Sequence, residues 1–539
     1  MAASWNFATV WDTIAGVVPD RPAQVHGERR VSWRAFEARA DALVRRFAVA
    51  GLAHQDKVAL YLHNGPEYMQ AAFACMKTAL VPVNTNYRYR GDELHYLWDN
   101  ADAVAVVFHG AFTPLVESVR ARCHKVRLWL HVADGTHACP AWAGPLPDAP
   151  ATDGPAPAAR SGDDLILIYT GGTTGRPRGV MWQQHDLYVA SNTARDPADL
   201  DLDFVRRRVR AQDPPPPVGL AAAPLMHGTA FVFASSILNR AGTLVTLTAT
   251  AFDVAELLDT IGRERVTDLC IVGDAFCRPM VDALDAEPGR WDVHSLRAVS
   301  SSGMMWSSAC KERLLAHAPE AMLIDFLNSS EASGMGRAVS TRQRPAGGAR
   351  FKLGENAFVI DADGRRIGPG SGEVGRIAVA GGVPLGYYGD PEKTAATFPL
   401  IDGVRCAVPG DFARVEADGT VTLLGRGSVS INTGGEKVFP EEVEECLKLA
   451  PDVLDAVVVG VADARFGETV AAAVQPAAGR TVDAAALIAH VQDRLARYKA
   501  PRHIMVVDSI GRGPNGKADY PAVRARVAAW LAQSQGEVH

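Results

Sequence analysis

Residues 165–187 read LILIYTGGTTGRPRGVMWQQHDL. The first five, 165–169, are a continuous apolar run with the length of a buried strand. The next ten, Thr170-Gly171-Gly172-Thr173-Thr174-Gly175-Arg176-Pro177-Arg178-Gly179, hold four glycines, three hydroxyls and two guanidinium groups. Glycines bend a backbone sharply and bring its N–H groups close to a ligand, and hydroxyls and cations add partners for anionic oxygens. A Gly/Thr-rich loop by itself is more often a surface loop. The apolar strand ahead of this one and the cations within it favour a phosphate cradle instead. It is not the Walker type, because no Lys-Ser or Lys-Thr follows the glycines, and it is not a dinucleotide G-x-G-x-x-G turn.

Working outward, composition bounds the rest. A chain of 539 residues exceeds one ordinary domain, and 47% apolar residues suffice for substantial cores. A net charge of −6 gives no electrostatic case for nucleic acid. The eight cysteines show no C-x-x-C or metal-ligand spacing, so reduced thiols and a cytoplasmic location are expected. The first residues, MAASWNFATVWDTIAG, lack a basic segment followed by an apolar one, and no run reaches the roughly 18 apolar residues of a membrane span.

Residues 33–50 are read as a helix with Phe36, Leu43, Val44 and Phe47 on one face, 58–62 as a strand, 68–80 as a helix and 103–108 as a strand. Strand–helix alternation predicts a parallel sheet covered by helices. Residues 134–164, rich in Ala, Pro, Asp and Gly, read as a surface connection, and residues 205–219 join a basic cluster to a rigid proline spacer. Further strands are expected over 269–273 and 296–299, the latter leading into Ser300-Ser301-Ser302-Gly303-Met304-Met305-Trp306. A small-residue turn after such a strand is where α/β sheets take ligands. Asp418-Gly419 predicts a hairpin between 412–415 and 420–424, and Pro440 with Glu441 and Glu442 opens a helix. Strands over 456–461 and 470–474 and a helix over 484–495 follow.

The 170–179 loop resembles the signature of the adenylate-forming superfamily, which includes acyl-CoA synthetases, nonribosomal adenylation domains and firefly-type luciferases. Gly172 stands for the usual Ser and Arg178 for the usual Lys. In order along the chain, Met226-His227-Gly228, Ser302-Gly303-Met304, Asp325-Phe326-Leu327-Asn328-Ser329-Ser330-Glu331, Pro409-Gly410-Asp411, Gly425-Arg426, Gly434-Gly435 and Pro514-Asn515-Gly516-Lys517 are similar to further motifs of that family. Within it, YTGGTTG, GDAFCRP and GRGSVSINTGGEKVFPEEVEE look most like actinobacterial steroid side-chain and fatty acyl-CoA synthetases.

The resemblance implies an α/β fold. Residues 1–427 would form a large AMP- and acyl-binding domain of layered sheets with a small barrel-like part. Residues 428–539 would form a small mobile α+β domain, hinged at Ser428. It implies that Thr170, Gly171, Gly172, Thr173, Thr174, Gly175 and Arg178 receive the ATP phosphates. Gly303, Met304, Asp325, Asn328 and Ser330 would line the nucleotide. Asp411 and Arg426 would take the ribose, and Gly434 and Gly435 would admit coenzyme A. His227, Gly228, Met304 and Met305 would wall the acyl pocket. Glu331, with Thr170, would hold Mg²⁺, an oxygen-preferring cation, and Lys517 would be the catalytic lysine. Read without the family, His227 is a packed core histidine, Ser329-Ser330-Glu331 a helix cap and Lys517 a surface residue. The implied reaction is ATP-dependent formation of an acyl-AMP and then an acyl-CoA, on a bulky hydrophobic acid such as a steroid side chain or a medium- or long-chain fatty acid. The alternatives are an adenylating enzyme passing its acyl group to an amine or carrier protein, an aryl acid–CoA ligase, a luciferase-like oxidoreductase, and a nucleotide-binding remnant. Small-molecule partners alone are expected, with a homodimer as the oligomer allowed for.

Overall fold

The computed structural model describes residues 5–147, 159–170, 177–191, 201–304, 306–344, 350–426, 431–433, 436–463, 467–495, 497–513 and 518–536. The chain forms two compact units, one of Met1–Gly348, Gly354–Ala357 and Val379–Val408, the other of Ala349–Leu353, Phe358–Ala378 and Pro409–His539.

In the first unit the apolar run is the strand Leu165–Thr170, inside a sheet. It pairs on one side with the antiparallel strand Arg178–Gln183, Leu165 opposite Gln183 and Thr170 opposite Arg178. On the other side it runs parallel to Val81–Asn84, and the sheet continues in parallel through Lys57–Tyr61, Ala103–His109 and Leu128–Val132. A strand flanked on both sides and covered on both faces has no polar face, which is why 165–169 carries no alternation. Gly179 lies opposite Tyr169, and a β-carbon there would fall 2.5 Å from the Tyr169 ring, so the close approach requires glycine. Gly386–Tyr387 adds a short antiparallel strand, Gly386 opposite Met181 and Tyr387 opposite Val180.

The second sheet of this unit has Pro22–His26, Thr243–Thr246, Val218–Ala221, Asp268–Ile271, Ala298–Ser302 and Met322–Leu327 in parallel neighbour order. Arg29–Ser32 pairs antiparallel with Pro22–His26, and Gly336–Ser340 antiparallel with Met322–Leu327. Helices Val254–Glu264, Gly273–Ala286 and Ser308–His317 cover it through Leu257, Ile261, Met280, Leu284 and Leu314. The helix Pro66–Lys77 is buried on every side, as a helix between layers must be. Phe73 meets Trp11 at 5.2 Å and Phe36 at 4.9 Å between ring centroids. Its terminal Lys77 is neutralised by Asp12 at 2.9 Å and Asp41 at 2.6 Å.

In the second unit the hairpin Asp411–Val415 and Thr420–Arg426 turns at Asp418-Gly419, as the sequence predicts. Beyond it the long strands Val453–Asp463 and Gly467–Pro476 pair antiparallel, and His503–Val506 joins the second in parallel. Their residues alternate between two cores. Ala456, Val458, Val470 and Ala472 face the helices Pro440–Lys448 and Ala484–Gln492, while Val457, Val459, Ala471 and Ala473 face Tyr520–Gly536.

Several boundaries differ from the sequence reading. The 68–80 helix ends at Lys77, because Ala79 takes a positive φ of 55°. The 269–273 strand stops at Ile271, and Gly273 instead opens a helix. The basic cluster of 205–210 lies on the helix Leu202–Ala211, where Arg206 meets Asp203 at 2.6 Å and Arg208 donates to the Asn239 carbonyl at 3.0 Å. All eight cysteines are free, seven of them buried and Cys139 exposed.

Phe73→Ala is expected to destabilise the protein by about 3–5 kcal/mol, because its ring fills a layer bounded by other aromatic rings. Denaturant unfolding of the full chain checks this.

Candidate active site

The antiparallel pair Thr170 and Arg178 marks the base of the Gly/Thr loop. Residues 171–176, and with them Gly171, Gly172, Thr173, Thr174 and Gly175, lie outside the described residues, as do Met305, Ser428, Gly434, Gly435 and Lys517.

Two side chains from one segment reach the residues expected to handle phosphate. Asp390 Oδ2 accepts from Arg178 Nε at 3.0 Å, both side chains being about one-third exposed. Such a pair is worth at most about 1 kcal/mol of stability, so its main effect is on the direction of the guanidinium. Asp390 also caps the helix Pro391–Thr397, its other oxygen accepting from the Lys393 N–H at 2.9 Å. That hydrogen bond first, and then Arg178, holds its carboxyl below the usual carboxylate range. Tyr387 Oη donates to Glu331 Oε1 at 2.8 Å. Burial, reinforced by the Glu331 charge, raises the Tyr387 phenol above its ordinary range, so it remains a donor.

Glu331 is displayed by a turn, not by a helix cap. Ser329 N–H donates to the Ala332 carbonyl at 2.9 Å, and the Ala332 N–H returns to Ser329 Oγ at 3.1 Å. Asn328 Oδ1 accepts from the Gly334 N–H at 2.8 Å, and Trp182 Nε1 donates to the Ser330 carbonyl at 2.8 Å. Among the described residues no group of three or more His, Cys, Asp or Glu could hold a metal by itself. A lone carboxylate such as Glu331 fits a cation whose remaining ligands are phosphate and water, the usual state of Mg²⁺.

His227 is the residue before the helix Gly228–Asn239, with extended φ and ψ of −101° and 142°. The turn that presents it is fastened from a distance. Asn84 Nδ2 donates to the carbonyls of Met226 at 2.6 Å and Tyr169 at 2.9 Å, and Asn84 Oδ1 accepts from the Tyr169 N–H at 2.6 Å. Asn64 likewise takes the Leu225 N–H at 2.7 Å and gives to the Ala223 carbonyl at 3.0 Å. His227 and Gly228 line a narrow, mostly apolar cleft with Asn84, Ile168, Met226 and Phe231.

Gly303 follows the strand Ala298–Ser302 with a φ of +86°, a conformation that favours glycine, and Met304 beside it is half-buried. Asp325 is turned into the protein instead, ion-paired with buried Lys311 at 3.2 Å. Burial pushes its carboxyl up to about 6, against the opposing pull of Lys311. In the second unit, Asp411 and Arg426 are cross-strand partners at the open end of the hairpin, and Asp411 is buried.

Sequence reasoning missed Asn84, Trp182, Tyr387 and Asp390. Asn84 has a local signal, an amide closing an apolar strand. Tyr387 and Asp390 have partners 56 and 212 residues away, beyond any local pattern.

Two layered sheets, one with an interior strand that ends at Thr170, and a smaller unit with its own cores define the class: an α/β adenylate-forming architecture. The chain belongs to the AMP-binding enzyme family, which matches residues 11–388, with the family's C-terminal domain matching residues 442–517. It is 39% identical over 527 residues, 96% of both chains, to a medium/long-chain-fatty-acid–CoA/3-oxocholest-4-en-26-oate–CoA ligase of Mycobacterium tuberculosis. It is 37% identical over 534 residues to the 3-oxocholest-4-en-26-oate–CoA ligase of Rhodococcus rhodochrous, covering 96% of this chain and 94% of the relative. Among solved structures it is similar to the anthranilate CoA ligase AuaEII in complex with anthranoyl-AMP, with a TM-score of 0.82, 20% identity and 99% of each chain covered. ATP-bound MatB from Rhodopseudomonas palustris gives a TM-score of 0.80 at 25% identity over 97% of this chain and 99% of that one. No described helix is long and apolar enough to cross a membrane.

Asn84→Asp is expected to destabilise by about 3 kcal/mol, since two carbonyls would then face a carboxylate in place of a donor; thermal or denaturant unfolding checks it. The Asp325 carboxyl is expected to titrate near 6 by ¹³C NMR. An unfolded aspartate titrates near 3.9, so this group favours the folded state at low pH. Its contribution is lost as pH rises from about 4 through about 6, the reverse of an ordinary ion-paired aspartate.

Proposed function

We infer that the protein is an ATP-dependent acid–CoA ligase, an AMP-forming acyl-CoA synthetase acting on hydrophobic carboxylic acids. The observation that carries this reading is 39% identity across 96% of both chains to a ligase of fatty and steroid acids. In the first half-reaction a carboxylate oxygen attacks the α-phosphorus of ATP, and the bond to the bridging oxygen breaks, giving acyl-AMP and pyrophosphate. In the second, the CoA thiolate attacks the acyl carbon and AMP leaves.

The obstacle in the first step is repulsion between anions. In this reading Thr170 and the loop N–H groups receive the phosphates, with Arg178 and Lys517 offsetting the charge on the transferring group. Mg²⁺, held by Glu331 with Thr170, would further neutralise the phosphate oxygens. His227 and Gly228 orient the acid beside them, among the apolar side chains of Ile168, Leu225 and Phe231. Asp411 and Arg426 take the ribose. Residues 1–427 form the nucleotide- and acyl-binding domain, and residues 428–539 turn about Ser428 to exchange Lys517 for the Gly434-Gly435 segment between steps. The protein works in the cytoplasm, with a homodimer as the assembly to test.

A pyrophosphate-release screen over medium- and long-chain fatty acids, a cholestenoic acid and aryl acids, with and without CoA, tests the reading. Saturable release with a fatty or steroid acid, together with acyl-CoA product, is expected; no release with any acid defeats it. Lys517→Ala is expected to slow adenylation by about 10²–10³-fold, the scale for removing one charge-stabilising donor, and to spare thioester formation from supplied acyl-AMP.

A further inference from the structure

We propose that Asp390 and Tyr387 are positioning residues of the adenylation step, one aligning the Arg178 guanidinium and the other the Glu331 carboxylate. The inference rests on the ligase reading given above and adds two residues to it.

The segment 385–390 is fastened before it touches either group. Leu385 N–H donates to the Met181 carbonyl and Tyr388 N–H to the Gly179 carbonyl, each at 2.8 Å, so it is laid along the strand that Arg178 opens. Thr394 locks it from the other side, accepting from the Tyr387 N–H at 2.9 Å and donating to the Asp390 carbonyl at 2.7 Å. Gly386 and Gly389 have φ of +143° and +69°, the left-handed values that let so short a piece pair and then turn. A β-carbon on Gly386 would fall 2.3 Å from Thr394 Cγ2. The segment is therefore a rigid bracket, and the two side chains it carries end on the two residues that must act on one triphosphate.

The chemistry of each contact suits orientation. A guanidinium has five N–H groups in one plane, and Asp390 engages the edge nitrogen, Nε. Holding that edge fixes the plane and aims the terminal amino groups, which a point-charge ammonium could not offer. Asp390 stays ionised through its cap on Lys393 N–H and its pairing with Arg178. Tyr387 donates to one oxygen of Glu331 and so restrains the direction of the other.

The experiment uses the full chain and measures ATP–pyrophosphate exchange, thioester formation from supplied acyl-AMP, and thermal unfolding. If the wild type shows no exchange, the ligase reading fails and the variants are moot. With an active wild type, Asp390→Asn keeps the helix cap, because Asn caps as well as Asp, and removes the charge beside Arg178. The expected result is an ATP KM raised about tenfold, the scale of one charge-assisted contact, with unchanged acyl-AMP-fed thioester formation and an unchanged melting temperature. Asp390→Ser, a second cap-preserving change, should do the same. In an Arg178→Lys background Asp390→Asn should add little, since residues acting through one contact are not additive. Tyr387→Phe should raise the ATP KM and spare the acyl-AMP-fed step. An ATP KM unchanged or lowered in the Asp390 variants, or equal losses in both half-reactions, overturns the proposal.

Discussion

One side-chain amide holds the centre of this molecule together. The parallel pairing between Val81–Asn84 and Leu165–Thr170 has Val83 opposite Leu167. One residue further on, the Asn84 side chain takes over the ladder, binding both the N–H and the carbonyl of Tyr169 and then reaching the carbonyl of Met226. The end of the loop-bearing strand and the turn before His227 are thereby set against each other by three hydrogen bonds from one residue. A buried carbonyl left without its donor is costly, so the arrangement is fixed by more than packing.

The remaining geometry hangs from the same strand. Arg178–Gln183 pairs with it over its whole length, Tyr387 pairs with Val180, and Trp182 holds the Ser330 carbonyl beside Glu331. Residues distant in the sequence thus meet on one sheet edge, each placed by backbone pairing and then refined by a single side-chain contact. The nucleotide chemistry proposed for this protein needs that order, since a triphosphate punishes misplacement of either its cation partners or its carboxylate.

Much of this was legible in the sequence. The unbroken apolar run of 165–169 announced a strand covered on both faces, and Asp418-Gly419 announced its hairpin. The paired placement of Asp411 and Arg426, assigned separately to the ribose, is a hairpin register. What stayed hidden depends on tertiary contacts. The role of Asn84 is set by partners 85 and 142 residues away. Ser329-Ser330-Glu331 has the composition of a cap, and only the bond from the Gly334 N–H to Asn328 Oδ1 and the Ser329–Ala332 exchange make it a turn. Asp325 carries the residue type of a ligand contact, and its ion pair with Lys311, on a separate helix, has no local signal.

The eight free cysteines acquire a meaning beside a product that is itself a thioester. Acyl exchange to a protein thiol proceeds through the thiolate. Burial raises the thiols of Cys75 and Cys446 and pushes those of Cys123 and Cys270 up to about 11 and about 12; exposed Cys139 is also raised. Cys310, shifted the other way by its hydrogen bond with Cys277, is 2% exposed. Seven of the eight sulfurs thus lie buried, away from an activated acyl group, and Cys139 alone is exposed.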